Sequence, residues 1–549
     1  MTSPRHALQQ TNRKQTSRSP LAGLGTIVRF ILRRDRIRLP VWIAAHGLLV
    51  LYIGAALPQL APDKQDLAGM TTLFSQPVGR MFTGPAFGLD DPTYERFFAA
   101  GYAPYLFILA SLMSIFLVTR HTRGEEQSGR AELVRAAVTG RHTMLTAALV
   151  IVGVANVVSA GLVSALTIGL GYSIMGSILV GSATGLTGMV FAGITAITVQ
   201  INEFSRSAAG MAGAVLGATF LLRAIGDMVE VGGSGLSWAS PLGWATQTAP
   251  YVHDRWAPLI LSVALAAATI ALAFVLQTKR DFGASLMPPR PGKVRGHPRL
   301  GHPFGLAARL HRSGFFGWGV GIMALGVVDG LFTQAMLDAG KDMPPELRAV
   351  FGSDQLLDGY IGFLGSFVSI LVTAYVVFAM QTLRTEEATG RADAVLATAV
   401  SRSGWLGTHL AVVALGATLI MLITGLGTGL AAAGVTADAG LIPDVMFSHL
   451  AALPAVLAVL GVTAGFFGVA PRFMAIIGWL LVAVCGIVDL FADLLDLPKW
   501  FRGLSPLWHL ATVPVETFQL TPVVVLVGIA IVAVGVGLAG FHRREINVV

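Results

Sequence analysis

The chain has 549 residues, 54% of them hydrophobic and only 12% charged, about half the charged share of a soluble domain. Apolar runs long enough for about 30 Å of hydrocarbon recur along its length, which excludes a soluble enzyme and points to an all-α, polytopic membrane protein. The formal charge is +8, but the basic residues sit in short segments flanking apolar runs, where the positive-inside rule puts them, so nucleic acid is not an expected partner. The lone Cys485 lies in an apolar run and allows neither a disulfide within the chain nor a cysteine metal site.

Residues 1–20 are polar and basic and read as disordered; they lack the short apolar core and small-residue cleavage site of a signal peptide. Apolar residues then fall at Leu21, Leu24, Ile27, Val28, Ile31 and Leu32, the spacing of one helix face. Arg29, Arg33 and Arg36 take the other side. The stretch to residue 40 therefore reads as a helix lying on the cytoplasmic membrane surface, with a plain basic flank to the first span as the alternative. Spans are predicted at 41–58, 99–119, 144–172, 176–200, 208–226 and 257–277, a first half over 41–278. A basic linker follows at 279–315, with Pro288, Pro289, Pro291, Pro298 and Pro303. The second half, 316–541, carries spans at 316–334, 359–381, 405–434, 442–470, 474–492 and 521–541, before a tail at 542–549.

A charged block between the second and third spans occurs twice. The first copy is Arg123-Gly-Glu125-Glu126-Gln-Ser-Gly129-Arg130-Ala131-Glu132, and the second is Arg384-Thr-Glu386-Glu387-Ala-Thr-Gly390-Arg391-Ala392-Asp393. The register runs on to Arg141 and Arg402, with nine of nineteen aligned positions identical. Ser240-Pro241-Leu242 precedes the sixth span and Ser505-Pro506-Leu507 the twelfth, and Trp42 and Trp318 stand at equivalent points of the first and seventh. The expected architecture is two tandem six-helix repeats of parallel orientation.

Arg120, Arg123, Arg130, Arg135, Arg141, the linker, Arg384, Arg391, Arg402 and the tail lie on one side of these spans, which assigns that side to the cytoplasm. The opposite loops carry Asp63, Asp66, Asp90, Asp91 and Glu95, then Asp338, Asp342, Glu346, Asp354 and Asp358. Both termini are expected in the cytoplasm, in a multi-pass protein of a bacterial cytoplasmic membrane. Within the block, Glu126 and Arg130, like Glu387 and Arg391, are four apart, a spacing that pairs them on a helix for about 0.2–0.5 kcal/mol. That spacing leaves Glu125 and Glu386 unpaired. The block reads as an exposed cytoplasmic helix presenting both signs of charge to a soluble partner, where substitution should change stability by about 0.5 kcal/mol or less. A self-stabilised helix with no partner is the alternative.

Arg223, Asp227, Asp329 and Asp489 fall near the ends of spans away from these blocks, where snorkelling is easy. Gly210, Gly213 and Gly217 in the fifth span and Gly425 and Gly429 in the ninth offer faces for close helix packing. Phe107, Met113 and Phe116 in the second span and Phe363, Phe367, Tyr375 and Phe378 in the eighth are candidates for a greasy substrate path, against the plainer reading as packing or lipid-facing aromatics. Residues 227–256 and 493–520, with Trp238, Trp244, Trp256, Trp500 and Trp508, read as re-entrant or interfacial elements. The histidines show no metal-ligand spacing, with His46 in a span and His121, His142, His297 and His302 in loops.

R-x-E-E-x-x-G-R-A-[ED] between spans two and three, closing on Arg141 or Arg402, resembles the first cytoplasmic loop of ABC-2 type permeases. It is most similar to the fused twelve-span actinobacterial exporters of polyketide antibiotics, which include mycobacterial multidrug-efflux permeases. The resemblance implies that the loop holds the coupling helix that meets the ATPase subunit. Arg123, Glu125, Glu126, Gly129 and Arg130 take that role by position, as do Arg384, Glu386, Glu387, Gly390 and Arg391. It also implies a separate ATPase in two copies, with ATP and Mg bound on that partner, and hydrophobic drugs or antibiotics as substrates. No G-x-x-x-x-G-K-[ST] occurs in the chain, so no cofactor is expected on it and no enzymatic activity of its own. The alternatives are an ion-gradient-driven twelve-span secondary drug carrier, for which no central carboxylate is evident, and an envelope enzyme or scaffold, for which no catalytic cluster is.

Overall fold

Why the spans form is plain from their composition: long runs rich in Leu, Val, Ile, Ala and Gly with few charges fold as helices that satisfy their backbone internally, as hydrocarbon requires. The computed structural model describes residues 19–132, 139–281, 283–287, 296–339, 356–492 and 497–545. The tail to residue 18, Arg135, Pro288, Pro289, Pro291, Asp342, Glu346 and Asp354 lie outside them. All regular elements among the described residues are helices, and twelve are long and apolar enough to cross a membrane. The chain divides into two units, 1–291 and 292–549, with six of these helices in each.

In the first unit a short helix, α1 (Leu24–Arg34), leads into the spans α2 (Arg38–Leu60) and α3 (Ala103–His121). A single turn, α4 (Arg123–Gln127), follows, then the spans α5 (Thr143–Gly169), α6 (Ile174–Ile201), α7 (Ser205–Val229) and α8 (Ala257–Thr278). In the second unit the order is α9 (Pro303–Leu331), α10 (Leu356–Ala388), the short α11 (Arg391–Leu396), α12 (Arg402–Thr436), α13 (Leu441–Ala451) with α14 (Leu453–Val469), α15 (Pro471–Phe491) and α16 (Leu520–Arg543). The same partners pack in both: first span on third, second on fourth, third on fourth, and fourth on sixth. In each unit the second and fourth spans are the most buried. Trp42 stacks on Phe116 at 6.1 Å between ring centroids, and Trp318 lies 6.0 Å from Phe378.

Four expectations change. The apolar face of α1 does not simply rest on the membrane: Ile31 is buried, and Leu24, Ile27 and Val28 pack with it against Leu145 and Leu149 of α5, while Phe30 and Leu32 are exposed. The seventh span begins at Pro303, inside the stretch read as linker; Pro at the first helical position suits a start there. Arg223 and Asp227 do not snorkel. They pair at 3.1 Å, both buried, with Arg80 Nε donating to the Asp227 carbonyl at 2.8 Å and Ser237 Oγ to its carboxylate at 2.5 Å. A Cβ on Gly210, Gly213 or Gly217 would meet nothing within 4 Å, whereas one on Gly425 or Gly429 would press on Met446 and Ile442 at 3.1 and 3.0 Å. The Ser-Pro-Leu segments are built into the fold. Ser240 caps a short helix, Pro241–Thr246, and donates to Thr219 O at 2.7 Å, while Ser505 donates to Asp489 at 3.0 Å.

Candidate functional site

The two glutamate blocks are joined to their helices differently. In the first, α3 ends at His121 and the backbone kinks at Thr122 before the turn of α4. In the second, α10 runs unbroken through Glu386 and Glu387 to Ala388. Both helices end the same way. Gly129 and Gly390 have φ of +72° and +73°, the left-handed conformation that closes a helix and that glycine adopts without Cβ strain. Their amides donate to the carbonyls of Glu126 and Glu387 at 3.1 and 3.0 Å.

That turn explains why the expected four-residue pairs do not form. Arg130 and Arg391 lie beyond the helix end and swing back to the first glutamate. Arg391 grips Glu386 with Nε at 3.0 Å and Nη2 at 2.7 Å, and Arg130 Nε stands 4.0 Å from Glu125. Glu125 and Glu386 are therefore paired, contrary to expectation. The main partner of Glu125 is Arg34 of α1.

The second glutamate is the hub in both blocks. Arg280, two residues past α8, holds Glu126 with Nη2 at 2.6 Å and Nη1 at 3.0 Å, and Arg123 adds a bond at 2.7 Å. Arg544, one residue past α16, holds Glu387 with Nη2 at 2.9 Å, and Arg384 adds one at 3.1 Å. The guanidinium of Arg544 also lies over Phe467 and Phe541, 5.3 and 5.2 Å from their centroids. Arg141 donates to the Thr278 carbonyl at 2.7 Å and Arg402 to the Arg544 carbonyl at 2.6 Å, so each also ties the start of the third span of its half to the end of the sixth. Arg123, itself buried, donates to Val199 O and Ala284 O at 2.6 and 2.7 Å.

These blocks are not the exposed helices expected. Glu125, Glu386 and Glu387 are buried, and Glu126 is nearly so. Ordering such charges within protein takes charged partners, and removing one partner of the fully buried Glu387 costs about 3–5 kcal/mol, far above the 0.5 kcal/mol expected of a surface loop. The exposed part of each block is its tip: Ser128, Arg130 and Glu132 in one, Thr389 and Arg391 in the other.

Several residues of the site escaped the sequence reading. Besides Arg34, Arg280 and Arg544, Asp35 is fully buried and accepts from His121 Nε2 at 2.7 Å and Arg120 Nε at 3.3 Å. His121 thus ends a span in a buried ion network and is no loop residue. An arginine just past both the sixth and the twelfth span was the available signal for Arg280 and Arg544.

The substrate-path candidates do not form one wall. Phe107, Met113 and Tyr375 are buried, Phe116 and Phe378 are exposed beside Trp42 and Trp318, and Phe363 stacks on Phe367 at 6.0 Å. Among the described residues, no group of three or more His, Cys, Asp or Glu is placed to hold a metal ion.

The family described as "Multidrug efflux system permease Rv1217c, C-terminal domain" matches residues 24–276 and 300–542. The chain is 34% identical over 536 residues to the multidrug efflux system permease protein Rv1217c of Mycobacterium tuberculosis, an alignment covering 96% of each chain.

Proposed function

The chain belongs to the family of multidrug efflux system permeases, and from that premise we propose that its two glutamate blocks are the points where a separate ATPase drives it. The observation that carries this reading is the bracing of each block. Ion pairs join Glu126 and Glu387 to the ends of α8 and α16, so a load on either exposed tip passes directly to the last span of its own half. A loose loop would absorb that load.

In this reading the blocks, the linker and both termini face the cytoplasm, and two copies of the ATPase, carrying ATP and Mg, dock at Ser128 and Thr389. ATP binding shifts the inward and outward states only by its differential affinity for them, so the loops must differ in how well each state engages the partner. The cargo is drugs, as the multidrug efflux name of the relative suggests, and of these hydrophobic drugs or antibiotics, as the resemblance of the loops implies. No residue of this chain takes part in phosphate chemistry.

Orientation is tested with impermeant thiol reagents on whole cells in a Cys485→Ser background. Asp90→Cys should label and Ser128→Cys should not; the reverse pattern contradicts the reading. The purified chain should hydrolyse no ATP until the partner is added, and hydrolysis by the chain alone would overturn the division of labour.

A further inference from the structure

We propose that the groove between the start of α9 and α12 is a binding site for an anionic phospholipid. The short 3-10 turn Pro298–Gly301, the first turns of α9, the middle of α12 and Tyr375 of α10 enclose about 620 Å³, within the range of small-molecule sites. Its lining divides by chemistry. Arg299, Arg309 and Arg312 bring positive charge, and among the described residues no carboxylate lines the cavity. The three arginines are exposed, and none has an acidic partner among the described residues. The rest of the wall is apolar, with Phe316 and Leu415 exposed beside those cations. Tyr375 also lines the cavity, only 1% exposed, and its hydroxyl has no hydrogen-bond partner among the described residues. Cations, exposed apolar side chains and an unused buried donor lining one cavity suit an amphiphile with an anionic headgroup.

The first half differs at the corresponding position. There Asp35 pairs with Arg120 and accepts a hydrogen bond from His121, and Arg34 turns inward to Glu125. The register that pairs Trp42 with Trp318, an offset of 318 − 42 = 276, puts His311 where Asp35 stands. His311 meets His409 at 3.0 Å instead. The carboxylate is gone, and Arg309 and Arg312, like their counterparts Arg33 and Arg36, are exposed. Hydrophobic drugs would gain little from three arginines, which is why a lipid is the better occupant. Its placement in the inner leaflet rests on the orientation proposed above; binding measured in detergent does not, so the two can fail separately.

The test uses the full chain, purified and delipidated, with phosphatidylglycerol or phosphatidylcholine of matched acyl chains, read by native mass spectrometry. Phosphatidylglycerol should be retained preferentially. A basic residue near an anionic headgroup is worth about fivefold, so Arg309→Gln/Arg312→Gln should weaken it on the order of twentyfold with the thermal midpoint unchanged. Phe316→Asp, at another exposed position, should also weaken it and serves if the double variant folds poorly. Equal retention of both lipids, or unchanged binding in these variants, overturns the proposal. So does displacement of the lipid by free glycerol phosphate at equal concentration, which would make this a phosphate site, or arginine-dependent binding of an uncharged drug in the lipid's place.

Discussion

The two glutamate blocks share half of their wiring and differ in the rest. In both, the second glutamate is clamped between the arginine three residues before it and an arginine just past the last span of that half. The first glutamate is treated differently. Glu125 reaches Arg34 on the separate helix α1, whereas Glu386 is satisfied within its own turn by Arg391. The shared part links each loop to its sixth span and fits force transmission. The unshared part makes the first block responsive to α1, while the second stands by itself on an unbroken helix.

The largest effect should come from attacking the shared hub. Glu387→Lys would set a third cation between Arg384 and Arg544 at a fully buried position, and should cost at least about 3–5 kcal/mol. The expected outcome is loss of monodisperse protein on size exclusion in detergent. Glu126→Lys should follow closely. Glu126→Arg/Arg280→Glu should recover part of what each single change loses, with a coupling energy of about 0.5–3 kcal/mol, read from thermal midpoints. Strict additivity would dissolve the pair.

The next effect tests the asymmetry. Arg34→Ala strips a buried carboxylate of its main partner and should cost about 1–3 kcal/mol. Arg391→Ala removes a guanidinium that is 57% exposed, and should cost about 1 kcal/mol or less. Equal losses would mean that the two blocks are braced alike after all.

Much of this was legible in the sequence. Twelve apolar runs near 20 residues announce twelve spans, because hydrocarbon leaves the backbone no other option. The duplicated block was equally visible. What could not be read was its packing. Spacing along a helix reveals only neighbours three and four apart, and the partners that bury these glutamates lie 91, 154 and 157 residues away. The same limit hid Asp35, whose short stretch looks like an ordinary basic flank. Gly129 and Gly390 were noticed as motif members, but their role as helix terminators, which redirects Arg130 and Arg391, depends on a backbone angle that no spacing discloses.

The smallest effect on stability should be the most telling for function. Ser128→Arg and Thr389→Arg occupy equivalent exposed tips, so each should shift stability by no more than about 0.5 kcal/mol. Each should nevertheless raise drug accumulation in cells at unchanged membrane level, and the variant at Ser128 should be further sensitised by Arg34→Ala, while that at Thr389 should not.

The partner engine meets this chain at those two tips in the proposed function. This docking is tested by placing a photo-crosslinking amino acid at Ser128 or Thr389 in cells and, as a control, at Asp90. The account predicts that each tip, and not the control, captures a separate chain that also labels with an ATP analogue, and that capture fades when the hub arginine of that half, Arg280 or Arg544, is removed. Wild-type drug export with no such capture at either tip would contradict it.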